Sequence, residues 1–197
     1  MIKAFNTWDV EEIKVEDPGL QSYVSVAPRI VPKTGARYAG RRFHKSKTFI
    51  VERLMNKLMV PGHKGKKHFR SSGRKTGKGM RVYYITRKAL GIIEQRLKKN
   101  PIEVLIRALE NAAPREEIVT IEYGGARYPK AVDCAPQRRV DLALRYFVQG
   151  AFGASFNSKK PIAESLADEI IAAFRMEQKS QAISKKLELE RQADASR

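Results

Sequence analysis

One change of period constrains this chain more than any other feature: apolar residues recur at helical spacing along most of its 197 residues, and only between 117 and 132 does the spacing become that of strands. From Ser46 the stripe Phe49, Ile50, Leu54 and Leu58, widened by Met55 and Met59, predicts a helix that Pro61-Gly62 stops. A second is predicted over 84–99 with Ile85, Ala89, Ile92, Ile93 and Leu97 inward, and Lys98-Lys99 suits the negative end of its dipole. Asn100-Pro-Ile-Glu103 reads as a helix start, because Asn caps, Pro takes the first position, and Glu can return a bond to the cap. Ile102, Leu105, Ile106 and Leu109 follow at helical spacing, and Pro114 ends the run.

Two more helices are predicted beyond the break. One spans 133–153, with Pro136 near its start and Val140, Ala143, Leu144, Phe147, Val148 and Ala151 as its buried stripe. The other spans 158–176 through Ile162, Leu166, Ile170, Ala173 and Phe174. Residues 178–197 are weakly amphipathic and predict a terminal helix that frays. In the break itself, β-branched and aromatic runs at 117–123 and 126–132 flank Gly124-Gly125, the residues a two-residue hairpin turn prefers. Pro129 confines its strand to an edge, so a two-stranded ribbon is expected rather than a larger sheet, and such a ribbon needs helices or a ligand to lean on. The fold class is therefore mainly α: about six helices carrying a protruding hairpin arm, with no βαβ alternation. Residues 1–45 read as an N-terminal extension, acidic and then basic, and 46–197 as the helical domain interrupted by a basic insertion at 62–81.

The charge is lopsided. The formal net charge is +18, yet residues 29–99 alone carry 22 Lys and Arg against two acids, residues 1–28 are net acidic, and 100–197 nearly balance. A charge held only for solubility would be spread over the surface, whereas concentration in a third of the chain forms a footprint for a polyanion. Within that block, 32–47 mixes Lys33, Arg37, Arg41, Arg42, Lys45 and Lys47 with glycine and aromatics but without apolar periodicity, and reads as an extended arm. The stretch 62–81 holds Lys64, Lys66, Lys67, Arg70, Arg74, Lys75, Lys78 and Arg81 with five glycines and no acid; it repels itself and is expected to order on RNA. Long basic arms beside a helical body suit folded RNA better than a recognition helix in a B-form groove.

Catalytic and metal chemistry find little footing. Gly73-Arg-Lys-Thr-Gly77-Lys-Gly79 only superficially resembles a phosphate loop, since it has three residues between the first two glycines and no Ser or Thr after its lysine. His44, His63 and His68 lie among cations without acids or cysteine nearby. Cys134, the single cysteine, excludes an internal disulfide; near a helix start it has a reactive reading, against which a packed structural role is preferred. The carboxylate pairs Glu116-Glu117 and Asp168-Glu169 point apart as neighbours do and read as solvated faces. Tyr38, Phe43, Phe69, Tyr123 and Tyr128 fall off the helical stripes among Lys, Arg and Gly, where stacking on unpaired bases and propping of the ribbon are equal alternatives. No apolar run reaches membrane-spanning length and 1–10 lacks the pattern of a signal peptide, so a cytoplasmic, non-enzymatic protein without cofactors, small-molecule substrate or membrane partner is expected.

Several segments in order resemble a known family. Ile50-Val-Glu-Arg-Leu-Met-Asn-Lys-Leu-Met59, Asn100-Pro-Ile-Glu-Val-Leu-Ile-Arg-Ala-Leu-Glu-Asn111, Ala113-Pro-Arg-Glu116, Gly124-Gly-Ala-Arg-Tyr128, Pro136-Gln-Arg-Arg-Val140, Ile162-Ala-Glu-Ser-Leu-Ala-Asp-Glu-Ile170 and Lys185-Lys-Leu-Glu-Leu-Glu-Arg191 are similar to small-subunit ribosomal protein seven, in its archaeal and eukaryotic branch. The resemblance implies a helical domain with a ribbon arm that binds the 3′ major domain of 16S-type rRNA, starts assembly of the subunit head, and reaches mRNA and exit-site tRNA. Residue by residue it implies rRNA or tRNA contacts from Lys47, Lys57, Arg115, Arg127, Lys130, Arg138 and Arg139, with Gly124 and Gly125 shaping the tip between Tyr123 and Tyr128. It also implies head and platform proteins as neighbours and a place in the small ribosomal subunit. The insertion at 63–81 is longer and more basic than the family's usual loop, the chain stops at Arg197 without the bacterial C-terminal extension, and the acidic stretch 9–17, without a bacterial counterpart, is read as facing a protein. A free RNA- or DNA-binding regulator, such as a repressor of its own message, is the alternative.

Overall fold

Seven α-helices and one antiparallel ribbon make up the described residues, 2–61 and 76–197, of the computed structural model. In chain order they are α1 (Pro18–Gln21), a 3-10 turn (His44–Lys47), α2 (Ile50–Leu58), α3 (Gly79–Leu97), α4 (Pro101–Ala112), β1 (Glu116–Tyr123), β2 (Ala126–Asp133), α5 (Pro136–Ser155), α6 (Ile162–Phe174) and α7 (Gln181–Asp194). The small and branched residues of α6 let neighbours approach closely, and α3, α4 and α5 all pack on it. Ala163, Leu166, Ala167, Ile170 and Ala173 from α6 meet Leu90 and Ile93, Leu105 and Leu109, and Leu144 and Phe147 in one continuous core.

Local signals explain several boundaries. Asn100 Oδ1 accepts from the Ile102 amide at 3.1 Å with Pro101 first in α4. No return bond from Glu103 forms; the Asn100 side-chain amide donates instead to the Asp9 carbonyl, which ties the N-terminal strap to the helix start. Ser180 caps α7 and donates to Glu169, whose Oε1 also accepts from the Ala182 amide at 3.0 Å. Gly150 lies against that carboxylate, and a Cβ there would sit 2.7 Å from it, so a side chain at this position would have to displace the Glu169 carboxylate.

Three segments differ from the sequence reading. α3 begins at Gly79, five residues before the predicted start at 84, because Val82 is buried and extends the stripe into the glycine-rich stretch. The residues 32–47 are not an extended arm: they form turns and a 3-10 turn that fold back on α2, with Thr34 donating to Glu52 and Asn56 donating to the Tyr38 hydroxyl at 3.0 Å. Phe49 precedes α2 rather than lying on its stripe; it is buried, and the next amide, Ile50 N, donates to Ser25 O. The strap before residue 30 also enters the core through Ala4, Phe5, Trp8, Val10, Leu20 and Val24. Trp8 donates to Glu94 at 3.0 Å while its ring meets Phe5 edge-on, and Phe5 packs on Tyr83.

The ribbon pairs Glu116 with Asp133 through to Tyr123 with Ala126. Gly124 and Gly125 both have positive φ, +57° and +84°, as a turn matched to the strands' twist requires. Its base rests on α7 and is closed by the Cys134 amide donating to Arg115 O at 2.8 Å. Beyond the base every residue from 119 to 130 is exposed.

Candidate nucleic-acid interface

The predicted contact residues divide by what they touch. Lys33, Arg37, Arg41, Arg42 and Lys47 are exposed on the turns before α2, Lys78 and Arg81 are exposed at the start of α3, and none of the seven forms an ion pair among the described residues. Arg42 lies over the exposed ring of Phe43, 5.3 Å from its centroid. Arg115 is exposed just before β1, and Lys130 and Arg127 on β2, where Arg127 reaches Glu122 at 3.5 Å. Lys64, Lys66, Lys67, Arg70, Arg74 and Lys75 lie outside the described residues, as do His63, His68 and Phe69.

A second set is held by acids of the chain itself. Lys45 and Arg53 share Asp141, Arg53 at 3.2 Å, and Arg53 also donates to Tyr23 O at 2.8 Å. Arg53 is only 5% exposed, so it is a structural cation that the charge count could not separate from its neighbours. Burial pushes the Asp141 carboxyl up, but bonding to Lys45 and the charges of Arg53, Lys45 and Lys57 outweigh this and hold it below the ordinary carboxylate value. Arg138 donates to Glu117 at 2.6 Å, and this bond raises its pKa. Arg139 donates to Asp17 at 2.8 Å and to Pro114 O at 3.2 Å, and its side chain is 13% exposed. These two arginines therefore brace the ribbon base and the N-terminal strap as well as bordering the surface.

Lys57 is half-buried, and burial, reinforced by the nearby charges of Arg145, Lys45 and Arg53, lowers its pKa. It lines a hollow of about 310 Å³ with Asn56, Val60, Pro61, Val148 and Arg145. Arg145 is a surface cation that sequence reasoning passed over, although its place between the stripe residues Leu144 and Val148 puts it on the outer face of α5. On the ribbon, Tyr123 is 79% exposed and Tyr128 is exposed beside it, while Tyr38 is half-buried against α2.

Burial, with the charge of Glu117 behind it, pushes the Cys134 thiol up to about 11, which suits packing and not attack. No group of three or more His, Cys, Asp or Glu able to hold a metal occurs among the described residues, and no described helix is long and apolar enough to cross a membrane.

The model of the family described as ribosomal protein S7p/S5e matches residues 20–197. The chain is similar to the small ribosomal subunit protein uS7 of Nanoarchaeum equitans, 53% identical over all of this chain and 99% of that protein. It is 48% identical to uS7 of Archaeoglobus fulgidus over 98% of this chain and 94% of that protein, and 45% identical to uS7 of Methanothrix thermoacetophila over the whole of both. With a lopsided cationic surface, a helical body, a projecting ribbon and likeness along the full length, this chain belongs to the ribosomal protein S7p/S5e family.

Proposed function

We propose that this chain, a non-enzymatic structural constituent of the small ribosomal subunit by its family, binds the 3′ major domain of 16S-type rRNA, nucleates the subunit head in the cytoplasmic ribosome, and extends its ribbon toward mRNA and exit-site tRNA. The observation that carries the reading is the run of exposed cations Lys33, Arg37, Arg41, Arg42, Lys47, Lys78 and Arg81 on the turns before α2 and the start of α3, none of which forms an ion pair among the described residues. Phosphate contacts from these side chains supply affinity, and the shape of the folded RNA supplies specificity. Lys57, Arg115, Arg138 and Arg139 border the same contact, and Tyr123, Arg127, Tyr128 and Lys130 flank the ribbon tip formed by Gly124 and Gly125.

Salt dependence tests this directly. If about eight cations replace counterions, log K against log salt falls with a slope of about −6 to −7; a slope near zero removes the electrostatic basis. The protein is expected near stoichiometric in salt-washed small subunits, and its retention at the top of the gradient would make it a free regulator instead. Deleting residues 123–128 is expected to leave folding and rRNA binding intact while disturbing exit-site tRNA or reading-frame fidelity; unfolding would show the ribbon to be structural.

A further inference from the structure

Glu52 is the least explained charge in the molecule. It is 4% exposed, its Oε1 accepts both the amide and the hydroxyl of Thr34 at 2.8 and 2.6 Å, and its Oε2 is buried with no hydrogen-bond partner. A buried carboxylate oxygen without a donor is costly and rare in a finished structure. The same side chain forms part of the wall of two adjoining hollows. One, of about 340 Å³, is mainly apolar and is lined by Tyr38, Tyr83, Met55, Met59 and Met80. The other, of about 710 Å³, carries Arg29, Lys33, Arg37 and His44. Lys33 and Tyr38 border both.

We propose that these two hollows form one nucleotide site, in which an unpaired guanine of the bound rRNA enters the apolar hollow and donates to Glu52 while its phosphate stays among the cations outside. This rests on the rRNA-binding reading above. The chemistry selects the occupant by elimination. A lysine or arginine from another protein would satisfy Glu52, but it would have to pass Arg29, Lys33 and Arg37, which repel it and attract a phosphodiester. Among the bases, guanine alone presents two adjacent N–H donors, at N1 and N2, on its Watson–Crick edge. Adenine and cytosine set a ring acceptor beside their amino group, and uracil flanks its N–H with two carbonyls, so each brings a lone pair toward the carboxylate. Tyr38 and Tyr83 offer faces for stacking, and both are already oriented, Tyr38 by Asn56 and Tyr83 by Phe5. The three methionines adapt to a planar guest.

The test uses the full-length protein bound to its rRNA domain and kethoxal, which reacts across N1 and N2 of unpaired guanines. In the wild-type complex one guanine is expected to be protected, and in the Glu52→Gln complex the same guanine becomes reactive, because the amide sets an N–H against an N–H. Affinity is expected to fall about tenfold or more, the scale of losing hydrogen bonds to a buried charged acceptor. If Glu52→Gln fails to fold, the wild-type protein decides alone: replacing the protected guanine with inosine, which lacks the N2 amino group, is expected to weaken binding about as much, and 7-deazaguanine to leave it unchanged. Binding with the expected salt slope but no Glu52-dependent guanine, or no loss with inosine, overturns the site and leaves the rRNA reading standing. Absence of rRNA binding overturns both, and a neighbouring protein's basic peptide crosslinked into the hollow in purified subunits overturns the site.

Discussion

The α4–α6 body and the ribbon obey different rules although they adjoin in sequence. In the body, Leu105, Ile106, Leu144, Phe147, Leu166 and Ile170 are buried, and each residue is determined by what it packs on. In the ribbon beyond its base, Val119, Ile121, Tyr123 and Tyr128 lie open to solvent on strands that have only each other as partners. An apolar side chain in the body is therefore accounted for by burial, whereas one on the ribbon beyond its base is not. Substitutions should separate the two along that line.

The largest effect is expected in the body. Phe147→Ala opens a cavity at a fully buried position and should cost about 3–5 kcal/mol in urea denaturation. A loss under about 1 kcal/mol would erase the contrast. Next comes Asp141→Asn, which leaves the buried Arg53 guanidinium without its carboxylate and should cost about 2–3 kcal/mol. That cost should depend on pH. The folded-state value of Asp141 is depressed, so its contribution is present above the ordinary aspartate value of about 3.9 and disappears as pH falls through the depressed one. Glu169 acts oppositely: burial raises it, so its contribution is present below its ordinary value and is lost as pH rises through the raised one. Stability curves of wild type and Asp141→Asn should thus converge only in strong acid, and convergence near neutral pH would contradict the assignment.

On the ribbon the costs shrink. Gly125→Ala forces a side chain into φ +84° and should cost about 1 kcal/mol, read as loss of cross-strand amide protection. Tyr123→Ala and Tyr128→Ala should each change melting by less than about 0.5 kcal/mol. If they also leave exit-site tRNA binding to the assembled subunit unchanged, the ribbon's aromatics have no recognition role.

The helices of the body were legible because their stripes repeat. Val140, Ala143, Leu144, Phe147, Val148 and Ala151 were all placed inward from spacing alone, and all are buried. The glycine pair at 124–125 marked the ribbon equally well, since few other residues take positive φ twice in succession. The strap before residue 30 was not legible. Phe5, Trp8 and Val10 enter the core singly from irregular backbone, and Leu20 from the single turn of α1, so no period betrays them. The turns of 32–47 are not legible for the same reason: their order comes from Thr34 and Tyr38 meeting α2, a pairing across 18 residues that composition does not encode. Counting cations could not separate exposed side chains from those bound by the chain's own acids. Arg37 and Arg139 look alike in sequence, yet among the described residues one has no ion pair and the other is bound to Asp17, 122 residues away.

The contact between Gly150 and Glu169 has a consequence for how this domain can vary. The carboxylate that fills the space a side chain would need also holds the first turn of α7 through Ser180 and Ala182. A single methyl group added in the middle of α5 would evict that carboxylate and so loosen the C-terminal helix without touching it. Position 150 thus acts as a remote latch for the tail, and the tail in turn supports the foot of the ribbon.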